Sequence, residues 1–337
     1  MVLAIGMLAT AAQALAQSPA AVPVTVGSFV RAETDHYFRS TVDRGIFGTL
    51  VHARTMASIE DQTVVRMNRD TLYSSGVFDL DAGPVTFTLP EAGARFQSMQ
   101  VISQDHYTVD VAYGPGRFTY DRARVGTRYV FVIVRTLANG EDAGDLRAAN
   151  LLQDRLTAEQ ASPGRFDIPA WDREQLAKVR TSVKDLGRFL GPDDARSMFG
   201  TRQAVDPVAH LIGTATGWGG NPREAAVYVS AQPKGNDGIA AHSLTLKDVP
   251  VDGFWSISLY NAQGFFEKND RNAYTLNNLG AKPDPDGGVT VRFGGCSAAT
   301  PNCLPIMPGW NYTIRLYRPR ADVVSGRWQP PPARPVH

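Results

Sequence analysis

Charge of one sign is the first thing the 337-residue chain lacks: 34 Lys+Arg stand against 33 Asp+Glu, a formal net charge of +1. That balance removes the electrostatic footprint needed to hold nucleic acid or an anionic membrane surface. Cysteine is nearly absent, with two in all, too few for a structural zinc site by themselves. Beyond residue 16 no apolar run is long enough for a membrane helix. Also missing are the G-x-S-x-G elbow, H-E-x-x-H, the Walker loop and a G-x-G-x-x-G after a strand, which excludes the commonest hydrolase, zincin and nucleotide-binding signatures. What remains is 43% hydrophobic and 20% charged, with 31 Gly and 22 Pro. Such a chain is too rich in turn residues for a helical bundle and long enough for about two domains.

Residues 1–16 carry no charge, run through Leu3, Ile5, Met7 and Leu8, and end in Ala14-Leu-Ala16. This predicts the apolar core and small-residue exit of a signal peptide, without the basic segment that ordinarily precedes one. Sixteen residues are short for a membrane span, and Pro19 and Pro23 would not continue a helix. The expectation is a periplasmic or secreted protein with no membrane span after cleavage. Cys296 and Cys303 bracket six residues, which is not redox C-x-x-C spacing. A local disulfide is expected, with two reduced buried thiols as the alternative. Closing that loop would stabilise the fold by roughly 2–3 kcal/mol and would need the oxidising compartment that the N-terminus implies.

From residue 28 to 42, Phe29, Val30, Tyr37, Phe38 and Val42 recur among charged residues as on an amphipathic helix. Short apolar runs then follow at 72–80, 85–89, 96–102, 107–113, 118–120 and 129–136, separated by turn chemistry such as Asp81-Ala-Gly-Pro84 and Gly114-Pro-Gly116. Helical period takes over at 144–160 and 171–190, the second opening on Asp172 with Gln175 three residues on, a capping-box spacing. Strand-like runs resume at 225–231, 242–246, 254–259, 265–266, 273–276, 289–293 and 312–317. Spacing near ten residues predicts antiparallel sandwiches, so the fold class is mainly β with a helical insert (α+β). The domain plan is a signal peptide at 1–16, a β domain at 27–140, a helical connector at 141–205 and a second β domain at 206–330.

Chemistry concentrates in two polar-aromatic stretches. The first, Asn68-Arg-Asp-Thr-Leu-Tyr73, either caps a turn or aims Asn68 and Asp70 into a cavity. The second, Gln104-Asp-His-Tyr107, puts a carboxylate beside an imidazole and a phenol, the groups that move protons near neutral pH. On a regular strand Asp105 and His106 would face opposite sides, so a pairing of His106 with Asp70 is the arrangement to look for. His36, His52, His210 and His242 show no metal-ligand spacing, so no metal is expected, and no cofactor is named by any motif. In the second half, strand alternation sets Trp255, Ile257 and Leu259 on one face with Ile314 and Leu316, leaving Arg315 and Tyr317 opposite. That Arg either clamps a carboxylate or solvates an outer face. The glycines of Thr216-Gly-Trp-Gly-Gly-Asn221 would let backbone approach a ligand closely.

The stretch Asn68-Arg-Asp-Thr-Leu-Tyr73, with Asp79-Leu80, Gly83-Pro84, Phe96-Gln-Ser-Met-Gln100, Gln104-Asp-His-Tyr107 and Gly126-Thr-Arg-Tyr129, resembles the bacterial domain DUF1254. The second half resembles its partner domain DUF1214 through Gly253-Phe-Trp-Ser256, Tyr260-Asn261, Asn269, Asp286-Gly287 and Asn302-Cys-Leu-Pro305 leading into Arg315-Leu-Tyr317 and Pro319. The resemblance implies two jelly-roll-like β domains and no settled reaction. One departure is Cys303, where the pattern leads one to expect Trp, which suits a disulfide-bearing loop. Two functions fit the residues. One is an exported hydrolase-like enzyme with Asp70 and His106 as acid and base, and Asn68, Tyr73, Asp105 and Tyr107 around the substrate. The other is a non-catalytic periplasmic ligand-binding or envelope-interaction protein using Trp218, Trp255, Arg315 and Tyr317. Both take a small-molecule ligand or substrate, and homo-oligomerisation stays open.

Overall fold

The computed structural model describes residues 21–62 and 65–336; the apolar segment at 1–16 lies outside the described residues. The strands are β1 (Val51–His52), β2 (Thr71–Asp79), β3 (Val85–Leu89), β4 (Gln97–Ser103), β5 (Thr108–Tyr113), β6 (Gly116–Tyr120), β7 (Tyr129–Leu137) and β8 (Thr157–Glu159). They continue with β9 (Ala226–Ala231), β10 (His242–Leu246), β11 (Trp255–Tyr260), β12 (Thr275–Asn277), β13 (Val289–Phe293), β14 (Cys303–Leu304), β15 (Asn311–Tyr317) and β16 (Arg334–Pro335). The helices are α1 (Phe29–Val42), α2 (Arg122–Val125), α3 (Ala143–Gln153), α4 (Arg173–Leu186), α5 (Pro192–Arg196), α6 (Pro207–Gly217) and α7 (Ala321–Val324).

The first eight strands form a five-stranded sheet, ordered β1-β2-β7-β4-β5, and a three-stranded sheet, β6-β3-β8. Phe78, Phe87, Met99, Val101, Val132 and Val134 fill the space between them. All nine residues of β7 are buried, because the other face of this central sheet is covered as well. There Phe38 of α1 packs with Val77, Ile102 and Phe131. Burial on both faces explains why Tyr129–Leu137 reads as a nearly continuous apolar run instead of an alternating one.

The covering layer is helical. Phe29 and Ala32 of α1, Leu176 and Val183 of α4, and Ile212 and Ala215 of α6 share one cluster. Glu33 of α1 accepts two 2.6 Å hydrogen bonds from the Arg180 guanidinium of α4, a bidentate bond that fixes their relative position. The stretch expected as a connector is therefore divided: α3 packs beside β7, while α4 joins α1 and α6 over the central sheet. Helix α6 carries clear start signals, with Asp206 accepting from the Val208 and Ala209 amides and Pro207 at the first position.

The second domain is a sandwich of β12-β11-β15-β9 on β14-β13-β10-β16. Alternation falls as the sequence predicts: Trp255, Ile257, Leu259, Ile314 and Leu316 point into the core with Phe293 and Trp310. The run expected as a strand at Phe265-Phe266 stays irregular. Its amides are satisfied instead by side chains, Phe265 donating to Asn261 Oδ1 and Phe266 to Gln62 Oε1. Strand β14 pairs parallel to β13, and Cys303 at its start is disulfide-bonded to Cys296.

Because this crosslink closes only a short loop, its removal should cost about 2–3 kcal/mol without unfolding either domain. Denaturant unfolding of the protein with and without reductant checks the magnitude. Hydrogen exchange should localise the loss to residues 294–304, and a global loss of protection would contradict it.

Candidate functional site

The two polar-aromatic stretches come to rest in different places. Asn68 and Asp70 lie before β2, where the chain leaves the first domain and presses on the outer face of the second domain's β12-β11-β15-β9 sheet. Asp70 is fully buried and accepts from Ser256 Oγ at 2.6 Å, Thr275 Oγ1 at 2.9 Å and Asn277 Nδ2 at 3.4 Å. Asn68 Nδ2 donates to the Tyr317 hydroxyl at 3.0 Å. Arg315, beside Ser256 in register, donates to Ser258 Oγ, to the Tyr260 hydroxyl and to the Arg66 carbonyl. Burial works against its charge, but Tyr260, Asp70 and Tyr317 hold the guanidinium pKa above its ordinary value. Around these polar groups sits an aromatic collar, with Phe254 stacked on Tyr317 at 4.3 Å and Phe96 of the first domain 5.1 Å from Phe254. The segment is thus an interdomain clasp.

The Gln104–Tyr107 segment is a turn between β4 and β5, so strand alternation does not govern it. His106 adopts a left-handed φ of 63°. The segment's side chains divide between α1 and α6 with the loop that follows α6. Gln104 Nε2 donates to Asp35 of α1 at 2.6 Å, and Asp105 accepts from Arg31 of α1. His106 Nε2 accepts from the Gly219 amide at 2.9 Å, which leaves Nδ1 as the protonated nitrogen, donating to Thr214 Oγ1 at 2.8 Å. Burial, reinforced by His210, keeps the His106 pKa well below the usual imidazole range. Tyr107 stacks on His210 at 4.7 Å.

The structure therefore separates Asp70 from His106. Asp70 sits at the end of the central sheet where β7 finishes, its carbonyl accepting from Ala138 N; His106 lies beyond Ser103, which pairs with Val130 where β7 begins. Eight residues of strand at about 3.3 Å each put them roughly 25 Å apart, so the expected Asp70–His106 pairing is not formed. The aromatic and arginine face expected to meet a ligand is buried too. Trp255 is in the sandwich core, Trp218 stacks between Tyr37 and His106, and Arg315 and Tyr317 are covered by the first domain. Tyr73 lies half-buried on the covered face of the central sheet, with the Arg135 guanidinium 5.8 Å from its ring. Arg135 is a buried charge that the sequence marks only as one basic residue inside an apolar run. It donates to Gln100 Oε1 and to the Gly219 carbonyl.

A cleft of about 680 Å³ does open where the helical layer meets the second domain. Met198 and Phe199 form one wall, residues 226–230 of β9 another, and Val323, Trp328 and Pro330 the third. Asn221, Ser230 and Gln329 supply hydrogen-bonding groups, and Arg196 and Arg223 bring charge, to this mostly apolar lining. Five consecutive residues of β9 reach the cleft because β9 is the outermost strand of its sheet. The Gln104–Tyr107 turn and the clasp residue Tyr317 stand directly behind the lining: Phe199 meets His106 edge-on at 5.9 Å, and Tyr228 meets Tyr317 at 6.5 Å. Asn221 Nδ2 donates to the Tyr228 hydroxyl at 2.8 Å. The glycines of the 216–221 loop serve this wall. A Cβ on Gly220 would fall 2.4 Å from Phe199 Cε2, so the close approach is to a ring of the same chain. Phe199, Tyr228 and Trp328 belong to no motif; the only hint was Tyr228 pointing away from the core between Val227 and Val229.

Gly220→Ala should displace Phe199, narrow the cleft and destabilise by about 1–3 kcal/mol, readable in denaturant unfolding, with Gly220→Ser at least as costly. At the clasp, Asp70→Ala leaves the Ser256, Thr275 and Asn277 donors without their acceptor and removes a negative charge that Arg315 feels, and should cost about 3–5 kcal/mol. Combining Asp70→Ala with Arg315→Leu should cost about 1–3 kcal/mol less than the two separately, and strict additivity would rule out the coupling. Among the described residues no group of His, Cys, Asp and Glu could hold a metal, and no helix is long and apolar enough to cross a membrane.

The fold has solved counterparts. The VPA0106 protein from Vibrio parahaemolyticus superposes with a TM-score of 0.71 at 19% identity, over 93% of this chain and 97% of that one. An uncharacterized protein from Burkholderia cenocepacia reaches 0.50 at 13% identity, over 92% and 86%. At such identities the likeness extends to fold alone. No curated protein matches the chain. Residues 47–124 match the protein of unknown function family DUF1254, and residues 225–321 match the protein of unknown function family DUF1214. With the clasp and turn segments of the first and the buried Ser256, Arg315 and Tyr317 of the second in these matched regions, the chain belongs to the two-domain DUF1254/DUF1214 family.

Proposed function

We propose that the protein works outside the cytoplasm as a non-catalytic binder of an amphipathic small molecule, held in the cleft between β9, Phe199 and Trp328. The observation that carries this reading is the cleft itself: it has the volume and the apolar lining with a few convergent polar groups that ligand sites share. Two of its three walls, those of Phe199 and Tyr228, are braced from behind by His106 and Tyr317, so the polar investment of both domains supports the shape of this cleft. Neither Asp70 nor His106 lines it, and the hydrogen-bonding capacity of each is taken up within the protein. Acid–base catalysis by that pair thus has no support in the geometry. The Cys296–Cys303 bridge supports an oxidising compartment, in keeping with the apolar N-terminal segment.

An uncharged solvatochromic dye, Nile red, should bind saturably at one site per chain. Replacing both Phe199 and Trp328 by Ala should weaken it by tenfold or more, since each ring contributes on the order of 1 kcal/mol beyond its area. Near-ultraviolet circular dichroism of the variant confirms its packing. Binding that is unsaturable, or unchanged in the double variant, would dismiss the cleft as the site. Export is checked separately by recovery of the full-length gene product in an osmotic-shock fraction without a free thiol; retention in the cytosol would count against it.

A further inference from the structure

A second cavity, of about 290 Å³, lies between α1 and the segment that leads into α4. It is independent of the cleft and of the clasp. Ala32, Ile168, Leu176 and the Trp171 ring form its apolar part, while His36, Arg39 and Arg173 stand around it. We propose that this cavity binds a small organic carboxylate, with the apolar body against Trp171 and Leu176 and the charge between the guanidinium groups of Arg39 and Arg173.

Local charge favours an anion. Asp35 is the one acid among the lining residues, and it is fully buried with both oxygens already engaged. Gln104 Nε2 donates to one at 2.6 Å and Trp171 Nε1 to the other at 2.8 Å. Burial pushes its pKa up, opposed by the Gln104 and Trp171 hydrogen bonds, and the Trp171 bond holds that ring as a wall. The neighbouring acids are committed elsewhere: Glu33 to Arg180 and Asp105 to Arg31.

The two arginines are differently placed. Arg39 lies over the Phe166 ring at 4.6 Å and makes only a loose 3.7 Å contact with Asp43, so its fork is oriented by stacking. Arg173 is the first residue of α4, exposed, and felt by His36 as a nearby positive charge. Burial lowers the His36 pKa, opposed by Glu33 and assisted by Arg180 and Arg173, so the ring faces the cavity as a neutral hydrogen-bonding group. Two guanidinium groups flanking an apolar pit are the arrangement that recognises a carboxylate on a hydrocarbon or aromatic body.

The test is calorimetric titration of the whole chain with benzoate and with benzamide, its uncharged counterpart. Benzoate should bind at one site and benzamide at least tenfold more weakly. Arg173→Gln should weaken benzoate about tenfold, the scale of one charge-assisted contact; because Arg173 is exposed, this variant keeps the fold. Arg39→Gln should act in the same direction, whereas Trp328→Ala in the cleft should leave benzoate unaffected. Absence of saturable benzoate binding, equal affinity for benzamide, wild-type affinity in Arg173→Gln, or loss in Trp328→Ala would each overturn the proposal.

Discussion

A carboxylate sealed between two domains sets the terms for the rest of the molecule. Asp70 is fully buried and accepts from three side chains of the opposite domain, with the equally buried Arg315 on the same sheet face. Burying either charge alone would be costly, and the arrangement is tolerable because each polar atom finds a partner. Those partners exist only in one relative placement of the two sandwiches. The clasp thereby sets where Tyr317 and Phe254 lie, which way β9 presents its edge, and how wide the cleft stands.

The helical layer is governed by a similar device at the other end of the central sheet. Gln104, Asp105 and His106 leave a single turn toward α1, α6 and the loop after α6. Through Gly219 and Arg135 the same loop is tied back to the sheet. The wall residue Phe199 then rests on Gly220 and against His106. Two buried polar centres about 25 Å apart thus act together on one aromatic-lined cleft that contains neither.

This division of labour explains why the residues richest in chemical potential proved architectural. Asp, His, Asn and Arg crowded around a strand end are what a catalytic site needs, and equally what a buried backbone turn between layers needs. Local sequence does not distinguish them, because both uses ask for the same donors and acceptors. The residues that face empty volume are Phe199, Tyr228 and Trp328 in the cleft and Arg39 and Arg173 beside α1. They sit in loops, at an edge strand and on exposed helix positions, where neither periodicity nor spacing sets them apart.

Most strands of both sandwiches were legible, since alternation and turn residues act within a few positions; Val85–Leu89, His242–Leu246 and Val289–Phe293 fall where their patterns place them. The disulfide and the inward face of Trp255, Ile257 and Leu259 were legible for the same reason. The sequence by itself determined which residues share a face. Only the tertiary structure decided what each second face meets: Arg315 and Tyr317 face another domain, Tyr129 and Phe131 a helical layer, and Tyr228 a cleft. A strand's period records the angle between side chains, whereas the partner across the face is chosen by packing between segments as far apart as Asp70 and Ser256.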